Sequence, residues 1–157
     1  MRRCMIALDV QPHFKPAQGT VQAINQLSTQ FPTAATLFKH NEAIVPLSKL
    51  GKRMGPENDQ GLIQTTNTFT RHGYLLPQAL LDWVATQMPD EVLVAGGHTD
   101  AAVLAAGFSL FDAGFRPAIV PLLCYGNDWF MHTVTTGIWN QELGRVYESV
   151  AELKFAQ

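Results

Sequence analysis

The chain has 157 residues, 46% hydrophobic and only 15% charged, with 11 Lys and Arg against 13 Asp and Glu and a formal net charge of -2. A chain this apolar and this nearly neutral is not of the disordered class, and without a basic excess or a basic run it lacks the electrostatic footprint of a nucleic-acid binder. No apolar run approaches the roughly 20 residues of a membrane span, and the apolar opening reaches Asp9 too soon for a signal-peptide core.

Two cysteines, Cys4 and Cys124, are too few for a disulfide scaffold, which suggests a reducing, cytoplasmic compartment. The length suits one domain over residues 1–157. Sparse charge leaves apolar surface that self-association would cover, so a homo-oligomer is expected.

Residues 4–8 form an apolar run of strand length closed by Asp9. Residues 20–30 set Val21, Ile24 and Leu27 on one face at helical spacing, and Pro32 stops that helix. Residues 35–38 read as a short second strand. The stretch 41–61 holds Pro46, Gly51, Gly55, Pro56 and Gly61, the punctuation of a loop or lid. Residues 65–70, rich in Thr and Phe, suit a third strand. Pro77 fits a first helical position, and the helix after it aligns Leu80, Leu81, Val84 and Met88. Residues 91–95 make a fourth strand.

The turn Gly96-Gly97-His98-Thr99 then offers Thr99 as an N-cap. The helix it opens carries Val103, Leu104, Gly107, Phe108 and Phe111 at helical spacing and stops at Gly114. Residues 118–124 form a fifth strand interrupted at Pro121, residues 128–143 fit a helix, and residues 145–149 a last strand. Near-continuous apolar strands alternating with helices call for a mostly parallel sheet covered on both faces. Right-handed crossovers make this a doubly wound three-layer α/β/α sandwich, Rossmann-like in layout.

In such sheets a site lies beyond the carboxyl ends of the strands. The polar residues falling there are Asp9, Gln11 and His13 with Phe14; His40; Arg71, His72 and Tyr74; His98, Thr99 and Asp100; and Cys124, Tyr125, Asn127, Asp128 and His132. All five histidines of the chain belong to this set. Asp9 can hold turn amides or act as a general acid or base in a partly dry cleft. The Gly96-to-Thr99 turn at a helix start serves a tight turn and an anion site equally well. Phe14 and Trp129 are candidates to line a pocket.

Several motifs are absent. There is no G-x-G-x-x-G fingerprint and no phosphate-loop Lys, so no dinucleotide or nucleotide cofactor is expected. Asp9, His13, His72 and His98 could converge on a metal by fold position, yet no ligand spacing supports one, and no metal is expected. Ser109 lacks a G-x-S-x-G frame, and Cys124 reads as a buried, inert thiol rather than a thiolate with a basic neighbour.

The segment Met5-Ile6-Ala7-Leu8-Asp9-Val10-Gln11-Pro12-His13-Phe14 resembles the opening strand and Asp-x-Gln-x-x-Phe turn of the isochorismatase-like (cysteine hydrolase) superfamily. Val94-Ala95-Gly96-Gly97-His98-Thr99-Asp100-Ala101-Ala102-Val103 is similar to its Gly-x-x-Thr-Asp-x-Cys-Val segment, and Arg71-His72-Gly73-Tyr74 falls where that superfamily carries a Lys. The resemblance covers roughly residues 4–148. It implies a triad position for Asp9, with Arg71 in place of the Lys and Ala102 in place of the nucleophilic Cys. It also implies a non-proline cis peptide at Gly97–His98, an oxyanion hole of backbone amides near His98 and Ala102, and substrate contacts from Phe14, His72, Tyr74 and His98.

An alanine has no lone pair with which to attack, so thiol chemistry at that position is absent, natively or by replacement. An arginine offers a bidentate fork to a carboxylate, which favours the ionised acid over the proton donor. The resemblance therefore implies a hydrolase-family protein with a cleft for a small amide, imide or vinyl ether and no cofactor. Vinyl-ether cleavage would use Asp9 as acid. The alternative is a non-catalytic ligand-binding or scaffold relative.

Overall fold

The computed structural model describes residues 1–155. Six strands form one sheet in the order β3-β2-β1-β4-β5-β6, and every pairing is parallel. They are β1 Arg3–Leu8, β2 Thr33–Phe38, β3 Asn67–Arg71, β4 Glu91–Gly97, β5 Pro117–Tyr125 and β6 Arg145–Val146. The helices are α1 Gln18–Ser28, α2 Gln78–Gln87, α3 Leu104–Asp112, α4 Trp129–Ile138 and α5 Glu152–Phe155. A π-helical turn, Thr99–Val103, leads into α3, and another, Trp139–Leu143, extends α4.

Side chains on β1 alternate between two cores, as the two-residue strand period requires. Cys4, Ile6 and Leu8 pack with Leu80 and Val84 of α2, Val103, Ala106 and Leu110 around α3, and Trp139 and Leu143. Met5 and Ala7 face the other way, onto Ile24 and Leu27 of α1 and Leu153 of α5. All six residues of β1 are buried, as expected for a central parallel strand covered on both faces. Each of the large aliphatic side chains there contributes roughly 1.5–3 kcal/mol by leaving water. Helices on both faces make the three-layer sandwich.

The chain leaves β1 toward β2 on one side and β4 toward β5 on the other. Strand order therefore reverses between β1 and β4, and a crevice opens at their carboxyl ends. The opposite end, at the amino ends of these strands, is closed by a buried polar knot. Arg3 Nε donates to Glu91 Oε2 at 2.8 Å, Tyr147 OH donates to the same oxygen at 2.7 Å, and Arg3 Nη1 donates to Leu153 O at 2.7 Å. This ties the chain's last described segment to the two central strands.

Several local expectations shift. Thr99 is not the N-cap: His98 holds that place, and Thr99 Oγ1 turns to His132 Nδ1 at 2.8 Å. Pro77 precedes α2 as its N-cap in extended conformation. Asp128 caps α4 from outside, its carboxylate accepting from Met131 N at 2.9 Å. The last strand is only Arg145–Val146. Met88 lies at the left-handed C-cap of α2 and is exposed. The buried stripe of α3 runs through Val103, Ala106, Gly107 and Leu110, which leaves Phe108 and Phe111 outward; helical spacing alone does not choose between overlapping stripes. Gly114, at φ +83°, does stop α3 in the left-handed region. Pro121, which has no N–H for the ladder, lies in the irregularity between Ile119 and Cys124 of β5.

Candidate functional site

Asp9 is the first residue beyond β1 and takes a left-handed conformation, φ +49°, which Asp tolerates better than most residues. Its backbone is clamped on both sides. The N–H points to Thr36, 3.2 Å from both the carbonyl oxygen and Oγ1, and Tyr125 OH donates to the Asp9 carbonyl at 3.0 Å. The carboxylate is held as firmly. Oδ1 accepts from Thr36 Oγ1 at 2.6 Å and from Arg71 Nε at 3.0 Å. Oδ2 accepts from Arg71 Nε at 3.1 Å and from Arg71 Nη2. Arg71 Nη1 donates to Gly73 O, and the guanidinium lies 5.6 Å from the centre of the Phe38 ring. Both charged side chains are only 4% exposed.

Two local devices set this geometry. Gln11, fully buried, donates to Phe38 O at 3.1 Å and accepts from Phe38 N at 2.7 Å, so its amide extends the β1–β2 ladder past the end of the strand. Gly96 has φ +102° beside the backbone of Leu8, where a Cβ would overlap the Leu8 carbonyl. Only glycine fits that close approach of β4 to β1. The Gly97–His98 peptide that follows is cis.

Around this pair lies a cavity of about 780 Å³. Asp9, Arg71 and Ala102 meet in it, and all three are nearly buried. Phe14, His98, His72 and Tyr74 also line it. The His98 ring stands edge-on to Phe14, 5.3 Å between centroids, and to Tyr125, 5.9 Å. Burial pushes its pKa down, against the opposing pull of Asp100 and Asp9, so the neutral imidazole is favoured. His72 Nδ1 lies 2.7 Å from Lys39 O, which requires the proton on that nitrogen. Tyr74 is largely exposed and stands at the mouth.

Ala102 sits in the π-helical turn, which Val103 N closes on His98 O at 3.0 Å, and presents only a methyl group. Neither cysteine lines the cavity. Burial pushes both thiols up to about 12, and Cys124 points its sulfur at Val94 O, 3.8 Å away. No thiolate is therefore available here at neutral pH.

The other candidates fall elsewhere. His13 lines the cavity, whereas His40 lies 3.1 Å from Glu42 and His132 turns to Thr99. Trp129 is exposed and stacks on His132 outside the cavity, so of the two aromatic pocket candidates only Phe14 is a wall. No group of three or more His, Cys, Asp or Glu among the described residues could hold a metal ion.

Phe38, Lys15, Val45, Leu47, Lys52, Arg53, Met54 and Gly55 also line the cavity, and no motif or spacing in the sequence marks them. Most of them come from the turn-rich stretch 41–61, where no periodicity reports which way a side chain faces.

No protein-family model matches the chain, and no curated protein sequence matches it. Solved structures do resemble it. An isochorismatase family protein from Desulfovibrio vulgaris subsp. vulgaris str. Hildenborough is 13% identical, with 99% of this chain and 98% of that chain covered and a TM-score of 0.77. The pyrazinamidase of Pyrococcus horikoshii, solved in complex with zinc, is 13% identical, with 95% and 100% covered and a TM-score of 0.80. The pyrazinamidase/nicotinamidase of Streptococcus mutans UA159 is 18% identical, with 92% and 99% covered and a TM-score of 0.72. At these identities the likeness shows the fold: the chain has the isochorismatase-like α/β architecture over nearly its whole length.

Proposed function

We propose that this protein is a hydrolase-family relative whose cleft binds a small amide, imide or vinyl ether over Ala102 without thiol-based hydrolysis. One observation carries the reading. The methyl of Ala102 shares a cavity with a carboxylate whose two oxygens already accept from Thr36 and Arg71. A carboxylate so engaged is a fixed element of the wall rather than a proton shuttle. Aromatic walls with a few fixed polar groups suit a small planar ligand. The test is turnover of primary amides and a vinyl-ether carboxylate by the native chain, by Ala102→Cys and by Asp9→Asn, with ligand binding followed in parallel. Saturable binding without turnover by the native chain is expected. Native turnover that disappears in Asp9→Asn refutes this reading.

A second reading, thiol-free hydrolysis, is favoured by one feature. Burial of His98 on the cavity wall favours its neutral imidazole, and such a group can accept a proton from water. Native turnover that disappears in His98→Gln and survives Asp9→Asn selects it.

A further inference from the structure

The charges around the cavity are strongly segregated. Four of the 11 basic residues line it, Lys15, Lys52, Arg53 and Arg71, but only one of the 13 acidic residues, Asp9. Asp9 and Arg71 neutralise each other in their ion pair. Lys15, Lys52 and Arg53 are left over, and none of them forms an ion pair among the described residues. Two acids lie near this rim: Asp59 accepts from the His13 amide at 2.8 Å and Asp100 acts on His98, and neither forms an ion pair with these three cations. A molecule with a formal net charge of -2 therefore gathers at one opening three cations that have no ion-pair partner among the described residues. A cleft lined by one sign of charge raises the local concentration of the opposite one.

The backbone that carries two of these cations is also held to the cleft. The segment carrying Lys52 and Arg53 is tied by Lys52 N to Leu47 O at 2.9 Å and by His40 N to Pro56 O at 2.7 Å. Between these ties Gly55 lies so close to the Phe38 ring that a Cβ would overlap it. Arg71 is the weaker candidate for anion receptor, because its charge is already paired with Asp9 and three of its five N–H donors go to Asp9 and Gly73.

We infer that the ligand of this cleft is a small planar carboxylate, held with its charged end outward on Lys15, Lys52 and Arg53 and its uncharged end on Ala102. The inference rests on the reading of the cleft as a small-molecule site and adds the ligand's charge and direction. Depth sets the direction: Ala102 is nearly buried, whereas Lys52 and Arg53 are exposed. The rings of Phe14, Phe38 and Tyr125 that line the same cavity suit a flat body.

The test is titration of the full chain with benzoate and with benzamide, matched in shape and different in charge, followed by NMR shifts of cavity residues. Three exposed charge contacts, each worth severalfold, predict that benzoate binds on the order of tenfold more tightly. That advantage disappears in Lys15→Gln/Lys52→Gln/Arg53→Gln and shrinks in about 0.5 M NaCl, where the Debye length is only a few Å. Ala102→Val weakens both probes alike. Equal affinities in the native chain, or a benzoate preference that survives the triple substitution, overturn the inference. If benzamide binds as well as benzoate and responds to Ala102→Val, the small-molecule cleft stands and its anion preference falls. If neither probe moves cavity resonances, both fall.

Discussion

Asp9→Asn tests the central pair with the least collateral change, because Asn also tolerates the left-handed backbone that Asp9 adopts at φ +49°. The substitution keeps an oxygen facing Thr36 and Arg71 Nε but puts an amide N–H₂ opposite the Arg71 Nη2 donor. Arg71, 5% exposed, is then buried with Gly73 O and a half-satisfied neighbour and no counter-charge. Removing one partner of a buried pair costs about 3–5 kcal/mol, a large share of the 5–15 kcal/mol that holds a typical domain together. For a chain of this size the melting temperature falls by roughly 6–20 °C. The assay is thermal and urea denaturation of the native chain, Asp9→Asn, Arg71→Met and the double variant. The double variant removes both charges, so it loses less than the sum of the single losses. Additive losses, or a single-variant loss below about 1 kcal/mol, show that the pair does not hold the crevice together.

Three further outcomes follow from the geometry. Burial holds both native thiols near 12, so Cys4 and Cys124 resist a disulfide reagent at pH 8, whereas Ala102→Cys adds one thiol that reacts far faster; rapid labelling of the native chain contradicts their burial. The imidazoles of His98 and His132 titrate below the ordinary value of 6.5, so the folded state binds fewer protons than the unfolded one. Stability is then complete above about pH 6.5 and declines as the pH falls below it; NMR midpoints at 6.5 abolish the effect and midpoints above it reverse the sign. Tyr147→Phe removes the hydroxyl that accepts from Arg3 at 3.0 Å and donates to Glu91 at 2.7 Å, and is expected to cost about 1–3 kcal/mol by urea midpoint. No change would mean that the knot at the amino ends of the central strands does not secure the chain end.

The architecture is legible in the order of residues alone. Short apolar runs alternating with helical periods are local signals, and a parallel doubly wound sheet is their consequence in this order. The same logic identified the strand ends where Asp9, Arg71 and His98 lie, and the motif resemblance alone singled out Ala102 where a cysteine was implied. Tertiary structure decided what local spacing could not. Register across β1, β2 and β3 brings Arg71 onto Asp9 over 62 residues, and only coordinates show that one guanidinium occupies both carboxylate oxygens. Which stripe of α3 is buried, and that Trp129 faces away from the cavity, depend on packing against neighbours distant in the chain. The positive mouth was the least visible feature, because Lys52 and Arg53 lie in a loop without a period, and a loop's direction is set by what it touches rather than by what precedes it.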